Sequence, residues 1–142
     1  MRRRSHTHGR TERGASAVEF ALVVIPLLMI VAGIINFGFV FAQQLALDNA
    51  VRAGARAGVV DTGNDPATVT QTEWEAAAIG RDLTSGFSVT YGPRNTCEDS
   101  TFGDSLIVKG AVNSRFIIPW PIPGVRQSVN LSSQAEFQCE YE

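Results

Sequence analysis

The sequence predicts an α+β protein, in which a long N-terminal membrane-spanning helix precedes a small exoplasmic domain with an antiparallel sheet. The first observation is that no charged residue occurs from Phe20 to Leu47. About 20 mostly apolar residues suffice to cross a bilayer as a helix. The second is a basic segment directly before that run, and the third is a change to two-residue alternation after residue 85, which is typical of strands.

These observations divide the chain into three parts. Residues 1–14 form a cytoplasmic basic leader, and residues 15–58 form the long helix, with its transmembrane part at about 18–42. Residues 59–142 form the exoplasmic domain. The 44-residue helix would be about 66 Å long at 1.5 Å per residue, roughly twice the hydrocarbon thickness, so about half of it should protrude.

The charge distribution predicts how the chain is oriented in the membrane and argues against nucleic acid as a partner. The first 14 residues contain five arginines and one glutamate, and basic residues beside a span stay in the cytoplasm. The expected location is the bacterial cytoplasmic membrane, crossed once, with the N-terminus inside and the C-terminal domain outside. The remaining chain has 7 basic and 13 acidic residues, so nucleic acid is not an expected partner.

Glu19 is a lone carboxylate at the start of the uncharged run. An ionisable group inside a membrane costs roughly 2.5–3.5 kcal/mol at the helix centre and less toward its end, so Glu19 should have a partner. The alternative is that Glu19 lies at headgroup level, where the positive end of the helix dipole tolerates it.

The basic head and apolar run could also be an ordinary secretory signal, which is cut after its apolar region. The far end of this run reads FAQQLALDNAVRAG and offers no convincing small-x-small cleavage site. The sequence therefore favours a helix that remains in the mature protein.

The residues from Gly14 onward, GASAVEF, resemble the processing site of type IV pilin-like precursors, and residues 13–58 are similar to the TadE-like pseudopilins of tight-adherence (Flp) pilus systems. The resemblance implies a pilin-like fold and cleavage between Gly14 and Ala15 by a prepilin peptidase on the cytoplasmic side. It makes Glu19 the assembly glutamate of the mature subunit. The implied partners are that peptidase, other pilin-like subunits, the pilus assembly platform and the lipid bilayer. Asn36 departs from the family, whose members often carry a glutamate there.

The role of Glu19 also follows from helix geometry. Residues four apart share a helix face, so cleavage after Gly14 would create an α-amino group at Ala15, one turn from the carboxylate. An opposite charge within reach favours the ionised form. The amine could belong to the same chain or to a neighbour, and a neighbouring amine would set the register between subunits.

The helix should continue past the membrane, because Asp48, Arg52 and Arg56 follow one another at steps of four with the acid first. A second row at steps of four contains only small residues: Gly38, Ala42, Ala46, Ala50, Gly54 and Gly58. Such rows allow close backbone contact, here with another helix or with the chain's own domain. The alternative is that alanine simply favours helix and Gly58 ends it.

The exoplasmic domain should begin at the turn formers of DTGNDPATVT. Thr72 is the expected N-cap of a short helix that reaches about Leu83, with Trp74, Ala78 and Ile79 on its buried side. Three alternating runs predict three strands, with a bulge at Gly110 in the second. Their expected inward residues are Phe87, Val89 and Tyr91; Leu106, Val108 and Val112; and Val129, Leu131, Ser133, Ala135, Phe137, Cys139 and Tyr141.

The two cysteines, Cys97 and Cys139, should form a disulfide, since both are expected on the oxidising side of the membrane. The alternative is two unconnected thiols.

Between the second and third strands, RFIIPWPIPGVRQ contains three prolines that exclude a central strand. This apolar loop should either fold over the sheet as core or present a contact surface to another subunit.

The sequence does not indicate an enzyme, and no catalytic residue, metal ligand or cofactor is expected. Both histidines, His6 and His8, lie in the leader. Clustered Glu98, Asp99 and Asp104 could hold calcium, but a solvated turn is the preferred interpretation.

The leading alternative to a pilus subunit is a membrane-anchored envelope scaffold or ligand-binding protein that does not assemble. An envelope enzyme would instead require a pocket with convergent polar groups.

Overall fold

The fold consists of one long helix, a short helix and a three-stranded sheet, as seen in a computed structural model that describes residues 11–60 and 63–139. The elements in chain order are helix α1 (Thr11–Val59), helix α2 (Pro66–Ala77), a 3₁₀ turn (Arg81–Leu83), and strands β1 (Thr84–Tyr91), β2 (Ser105–Arg115) and β3 (Ser128–Gln138). The expected α+β architecture, with a long apolar N-terminal helix, is therefore confirmed. The predictions for leader residues 1–10 and for Tyr141 fall outside the described residues.

Helix α1 belongs to two compact units, residues 1–35 and residues 36–142. In the first unit the large apolar side chains are exposed, as Phe20 and Leu22 show with 69% and 71% of their surface accessible. The segment Gly14–Val59 is long and apolar enough to cross a membrane. The second unit takes the rest of α1 into its core, so the compact C-terminal unit starts at Asn36 and includes much of the predicted protruding helix.

The sheet has the order β1-β2-β3, and both pairs are antiparallel. Leu106 and Val108 of β2 are fully buried, and their alternation with exposed residues gives the sheet one apolar face. Leu131 and Ala135 of β3 extend that face. The predicted strands and their inward residues are thus confirmed for the centre of the sheet, while Phe137 near its edge is 38% exposed.

Gly110 is not at a bulge, because β2 pairs with β3 without interruption through the Gly110–Ser133 pair. The irregularity lies in β1, between Ser85 and Ser88, where Gly86 has a φ of +67°. A Cβ at Gly110 would lie 2.7 Å from Cγ2 of Val51 and 3.0 Å from Cδ1 of Leu47. Glycine is therefore needed at position 110 because α1 packs directly on the sheet there.

Within the second unit, α1 runs antiparallel to β2 across the apolar face of the sheet. Asn36 meets Ile118 just beyond the end of β2, Gln43 meets Ser114, and Gly58 lies against Leu106. Leu47 and Val51 are fully inaccessible between these points. One helix thus forms the backing of the whole sheet.

The prediction of an N-cap at Thr72 is wrong, since α2 begins at Pro66 with Asp65 as its cap. The Asp65 carboxylate accepts a hydrogen bond from the Thr68 amide at 3.0 Å. Aspartate followed by proline is a strong start signal, because proline at the first helical position loses no hydrogen bond.

The far end of α2 also differs from the sequence-based expectation. The helix stops at Ala77, which leaves Ile79 in a turn and 52% exposed. Trp74 is buried as expected and stacks on Phe87 of β1 with ring centroids 5.8 Å apart.

The predicted disulfide between Cys97 and Cys139 is present, with the two Cα atoms 5.5 Å apart. It ties the segment after β1 to the end of β3, and the Cys139 amide adds a 3.0 Å hydrogen bond to the Asp104 carbonyl. Closing a loop of this length stabilises the fold by about 4 kcal/mol in the chain-entropy model.

We predict that Gly54→Ala lowers the free energy of unfolding of the second unit by about 1–3 kcal/mol, as overpacking does in a well-filled core. The added Cβ would overlap Oγ1 of Thr70 and lie 2.6 Å from the Pro66 carbonyl oxygen. Gly38→Ala is the matched control, because no atom lies within 4 Å of a Cβ there and alanine favours helix by about 1 kcal/mol. Urea unfolding in detergent measures both, followed by Trp74 fluorescence in a Trp120→Phe background that leaves Trp74 as the single tryptophan; equal midpoints for the two variants would contradict this packing.

We also predict that Asp65 contributes to the pH dependence of stability. Hydrogen bonds, first from the Thr68 amide and also from the Thr68 and Tyr91 hydroxyls, lower the pKa of Asp65 below its ordinary value of 3.8. The carboxylate therefore stabilises the folded state above pH 3.8, and this contribution is lost as the pH falls through the lowered pKa. In Asp65→Ala the loss of stability on acidification should be smaller, as measured by urea midpoints at a series of acidic pH values. Asp104, whose pKa is also lowered, should maintain part of the pH dependence of stability in this variant. If the urea midpoints of Asp65→Ala depend on pH in the same way as those of the wild type, Asp65 makes no such contribution.

Candidate functional site

The candidate processing and assembly residues, Gly14, Ala15 and Glu19, all lie in α1 and are exposed. Ala15 and Glu19 are four residues apart in continuous helix, so they share one face. The nitrogen of Ala15 is a neutral peptide nitrogen while Gly14 remains attached. Only cleavage of that peptide bond would convert it into a cationic amine next to the carboxylate.

Gly14 is not required by packing. No atom lies within 4 Å of the position that a Cβ would occupy there. Alanine therefore fits this position sterically. A Gly14→Ala variant should fold normally, so its recognition by another protein can be measured without an effect on folding.

The row of small residues on α1 is divided between two environments. Ala46, Ala50 and Gly54 are buried inside the second unit, where Gly54 faces Thr70 and Pro66 of α2. Gly38 is exposed and a Cβ there would meet nothing within 4 Å. Close packing within the chain accounts for the later part of the row and leaves Gly38 open.

Asn36 is 3% exposed, although it lies within the uncharged run. Its Nδ2 donates to the Ile118 carbonyl at 2.8 Å, and its Oδ1 accepts from the Ile118 amide at 3.0 Å. An ionised carboxylate at this position could accept but could not donate. The paired donor and acceptor explain why a neutral amide side chain is suited to this buried position.

Gln43 makes the second polar anchor of α1 and is fully buried. Its Nε2 donates to the Ile79 carbonyl at 2.8 Å, and its Oε1 accepts a hydrogen bond from the Ser114 hydroxyl. It connects the helix with the turn after α2 and with β2. Sequence reasoning missed both anchors, although amide side chains inside an apolar run are the signal that could have identified them.

The acidic cluster near the disulfide contains a structural carboxylate. Asp104 accepts hydrogen bonds from the amide and hydroxyl of Thr101 and lies 2.8 Å from the Arg94 guanidinium. The bond from the Thr101 amide is the main cause of its lowered pKa, and the Arg94 charge acts in the same direction. Within residues 11–60 and 63–139, no group of three or more histidine, cysteine or acidic side chains is placed to hold a metal ion.

A cleft of about 850 Å³ lies beside the C-terminal end of α1. Its polar lining includes Asn64, Asp65, Thr96, Glu98 and Asp99. Asp65 is already committed to capping α2, and Cys97 at the wall is oxidised in the disulfide. The described part of this lining contains neither histidine nor lysine.

Comparison with known proteins supports one assignment. Residues 14–56 match the family model described as TadE-like protein. No significant match was found among curated proteins or solved structures. The matched segment begins at Gly14 and covers Ala15, Glu19, Asn36 and Gln43. The resemblance seen in the sequence is thereby confirmed: residues 14–56 of this chain are similar to the TadE-like family.

Proposed function

We propose that this protein is a minor pilin-like subunit, or pseudopilin, that assists assembly of a tight-adherence type pilus after a prepilin peptidase removes residues 1–14. The observation that carries the proposal is the family match, which starts at Gly14 and continues through the apolar helix. A match confined to the apolar residues would support only a generic anchor. The start at Gly14 adds the short polar segment in which cleavage is proposed.

The proposed orientation follows from charge. Five arginines precede Ala15, against one glutamate, and such a segment is retained in the cytoplasm. The peptidase would act on that side of the membrane. The sheet domain, with its disulfide, would then lie outside, where disulfides persist.

Glu19 would act in assembly through the amine released at Ala15. In a medium of low dielectric constant an unpaired carboxylate is costly, and a cation within about 4–6 Å favours its charged form. If the amine comes from a neighbouring subunit, the pair aligns one helix against the next. The exposed apolar residues of the first unit would give the partner helix a surface to pack on.

The alternative function is a single-pass anchor whose outer domain acts as a scaffold or binds a ligand. The mass of the protein purified from its native membrane separates the two. A chain that begins at Ala15 supports the pilin-like subunit, an intact leader supports the anchor, and cleavage beyond the helix would indicate a secreted domain.

We predict that Gly14→Ala blocks or strongly slows leader removal, because the peptidase of this family reads the glycine. The variant should accumulate as the unprocessed chain, detectable by intact mass in membranes that contain the peptidase. Gly38→Ala, a glycine replacement elsewhere in the same helix, is the control and should be processed normally. Since nothing in the structure obstructs a Cβ at position 14, misfolding would not account for the block. Normal processing of Gly14→Ala would contradict the proposed cleavage site.

We predict further that Glu19→Ala and Glu19→Gln leave membrane insertion intact, or improve it, while disrupting pilus assembly. Both changes remove the charge, and the glutamine variant keeps the size of the side chain. Val18→Ala is the control, because it trims an adjacent exposed apolar side chain without altering charge. Membrane fractionation and counts of surface pili measure the two effects. Pili at the normal number in Glu19→Gln would disprove a role for the carboxylate charge.

A further inference from the structure

The loop between β2 and β3, Phe116–Gln127, exposes apolar side chains at the end of the sheet where α1 enters the second unit. We call it the proline loop. Ile117, Ile122 and Val125 are 46%, 45% and 41% exposed, and Trp120 is partly exposed beside them. A cluster of exposed apolar residues on one loop indicates a contact with something other than water.

The proline loop is held against α1 at a defined point. The two hydrogen bonds between the Asn36 side chain and the Ile118 backbone connect its first part to the helix. Asn36 is buried in this contact. The loop therefore lies level with residue 36 of the helix.

That level coincides with the expected outer boundary of the membrane. The uncharged run begins at Phe20, and about 20 helical residues cross the hydrocarbon core. A span that starts near Phe20 therefore ends near Phe39, and the predicted transmembrane part ends at about residue 42, so Asn36 lies within one to two turns of the outer boundary. The proline loop would meet the bilayer where acyl chains give way to headgroups.

The backbone of the proline loop is suited to a medium with little water. Proline lacks an amide hydrogen, and residues 119, 121 and 123 are all proline. The Trp120 amide and carbonyl bind the Gln127 side chain at 2.9 and 3.2 Å, and the Ile118 pair binds Asn36. These bonds and the missing proline amides reduce, but do not remove, the loop's need for water or lipid headgroups as hydrogen-bond partners, as suits irregular backbone at the membrane boundary.

Basic residues near both ends of the proline loop complement its apolar middle. Arg115 directly precedes the loop and Arg126 lies near its end; both are exposed, at positions from which a guanidinium could reach lipid phosphates. A tryptophan between apolar residues and arginines matches the composition of membrane interfaces.

We propose that the proline loop inserts its apolar side chains into the headgroup and acyl boundary of the outer leaflet, so that the sheet domain is seated on the membrane that α1 crosses. This goes beyond the proposed function, since it requires a membrane-anchored helix but no pilus. It also gives the domain a defined orientation, with the loop toward the lipid and the opposite end of β2 away from it.

The test uses the full chain in lipid nanodiscs and the fluorescence of Trp120. The sequence has two tryptophans, and Trp74 is buried in the core, so the difference between wild type and Trp120→Phe isolates the loop signal. We expect lipids brominated near the headgroup to quench that signal, and aqueous acrylamide to quench it weakly. Quenching by acrylamide without quenching by bromolipid would place the loop in water and overturn the proposal. Protection from both would mean that protein, such as a second copy, covers the loop, and would overturn it equally.

A pair of variants tests the side chains that insert. Ile117→Ser with Ile122→Ser should cause loss of most of the bromolipid quenching, because two of the apolar contacts are removed. Phe102→Ser is the matched control: Phe102 is 96% exposed but lies at the opposite end of β2, so quenching should stay unchanged. If the serine pair destabilises the domain, the wild-type measurement still decides the proposal. Unaltered quenching in a folded serine pair would show that these side chains do not insert.

Discussion

The fold depends on the close contact between one helix and one sheet. From Asn36 to Gly58, α1 covers the apolar face of β2, and the approach is possible because Gly110 on the strand and Gly58 on the helix have no side chain. Leu47 and Val51 fill the interface completely. Without this contact only α2, through Trp74, would cover the three-stranded sheet, and a domain of this size would have little core to stabilise it.

The same helix has a second part with the opposite requirement. In residues 14–35 its large apolar side chains are exposed, which fits a membrane anchor rather than a water-soluble surface. In the proposed account the membrane part begins at the Glu19 carboxylate. The domain part begins at Asn36, whose neutral side-chain amide binds the proline loop.

The elements whose patterns are local could be predicted from the sequence. The apolar run, the alternating strands and the disulfide all follow from spacing and composition, and the family match confirms the resemblance of residues 14–56. The errors arose where two local signals competed. The sequence favours Thr72 as the cap, whereas the helix starts at Asp65 and Pro66. It favours a bulge at Gly110, whereas the irregularity lies in β1 around Gly86. Asn36 and Gln43 could not be assigned because their partners, Ile118, Ile79 and Ser114, are far away in the chain.

The central claim is that the Glu19 carboxylate in the mature protein is paired with the free amine of Ala15, from the same or a neighbouring chain. Solid-state NMR of the membrane-embedded mature protein, labelled with ¹⁵N at Ala15 and ¹³C at the Glu19 carboxylate, measures that distance directly. The account predicts dipolar coupling that corresponds to about 4–6 Å, and mixing singly labelled chains separates contacts between chains from contacts within one chain. Absence of coupling in both samples, or an Ala15 nitrogen that is still an amide, would contradict it.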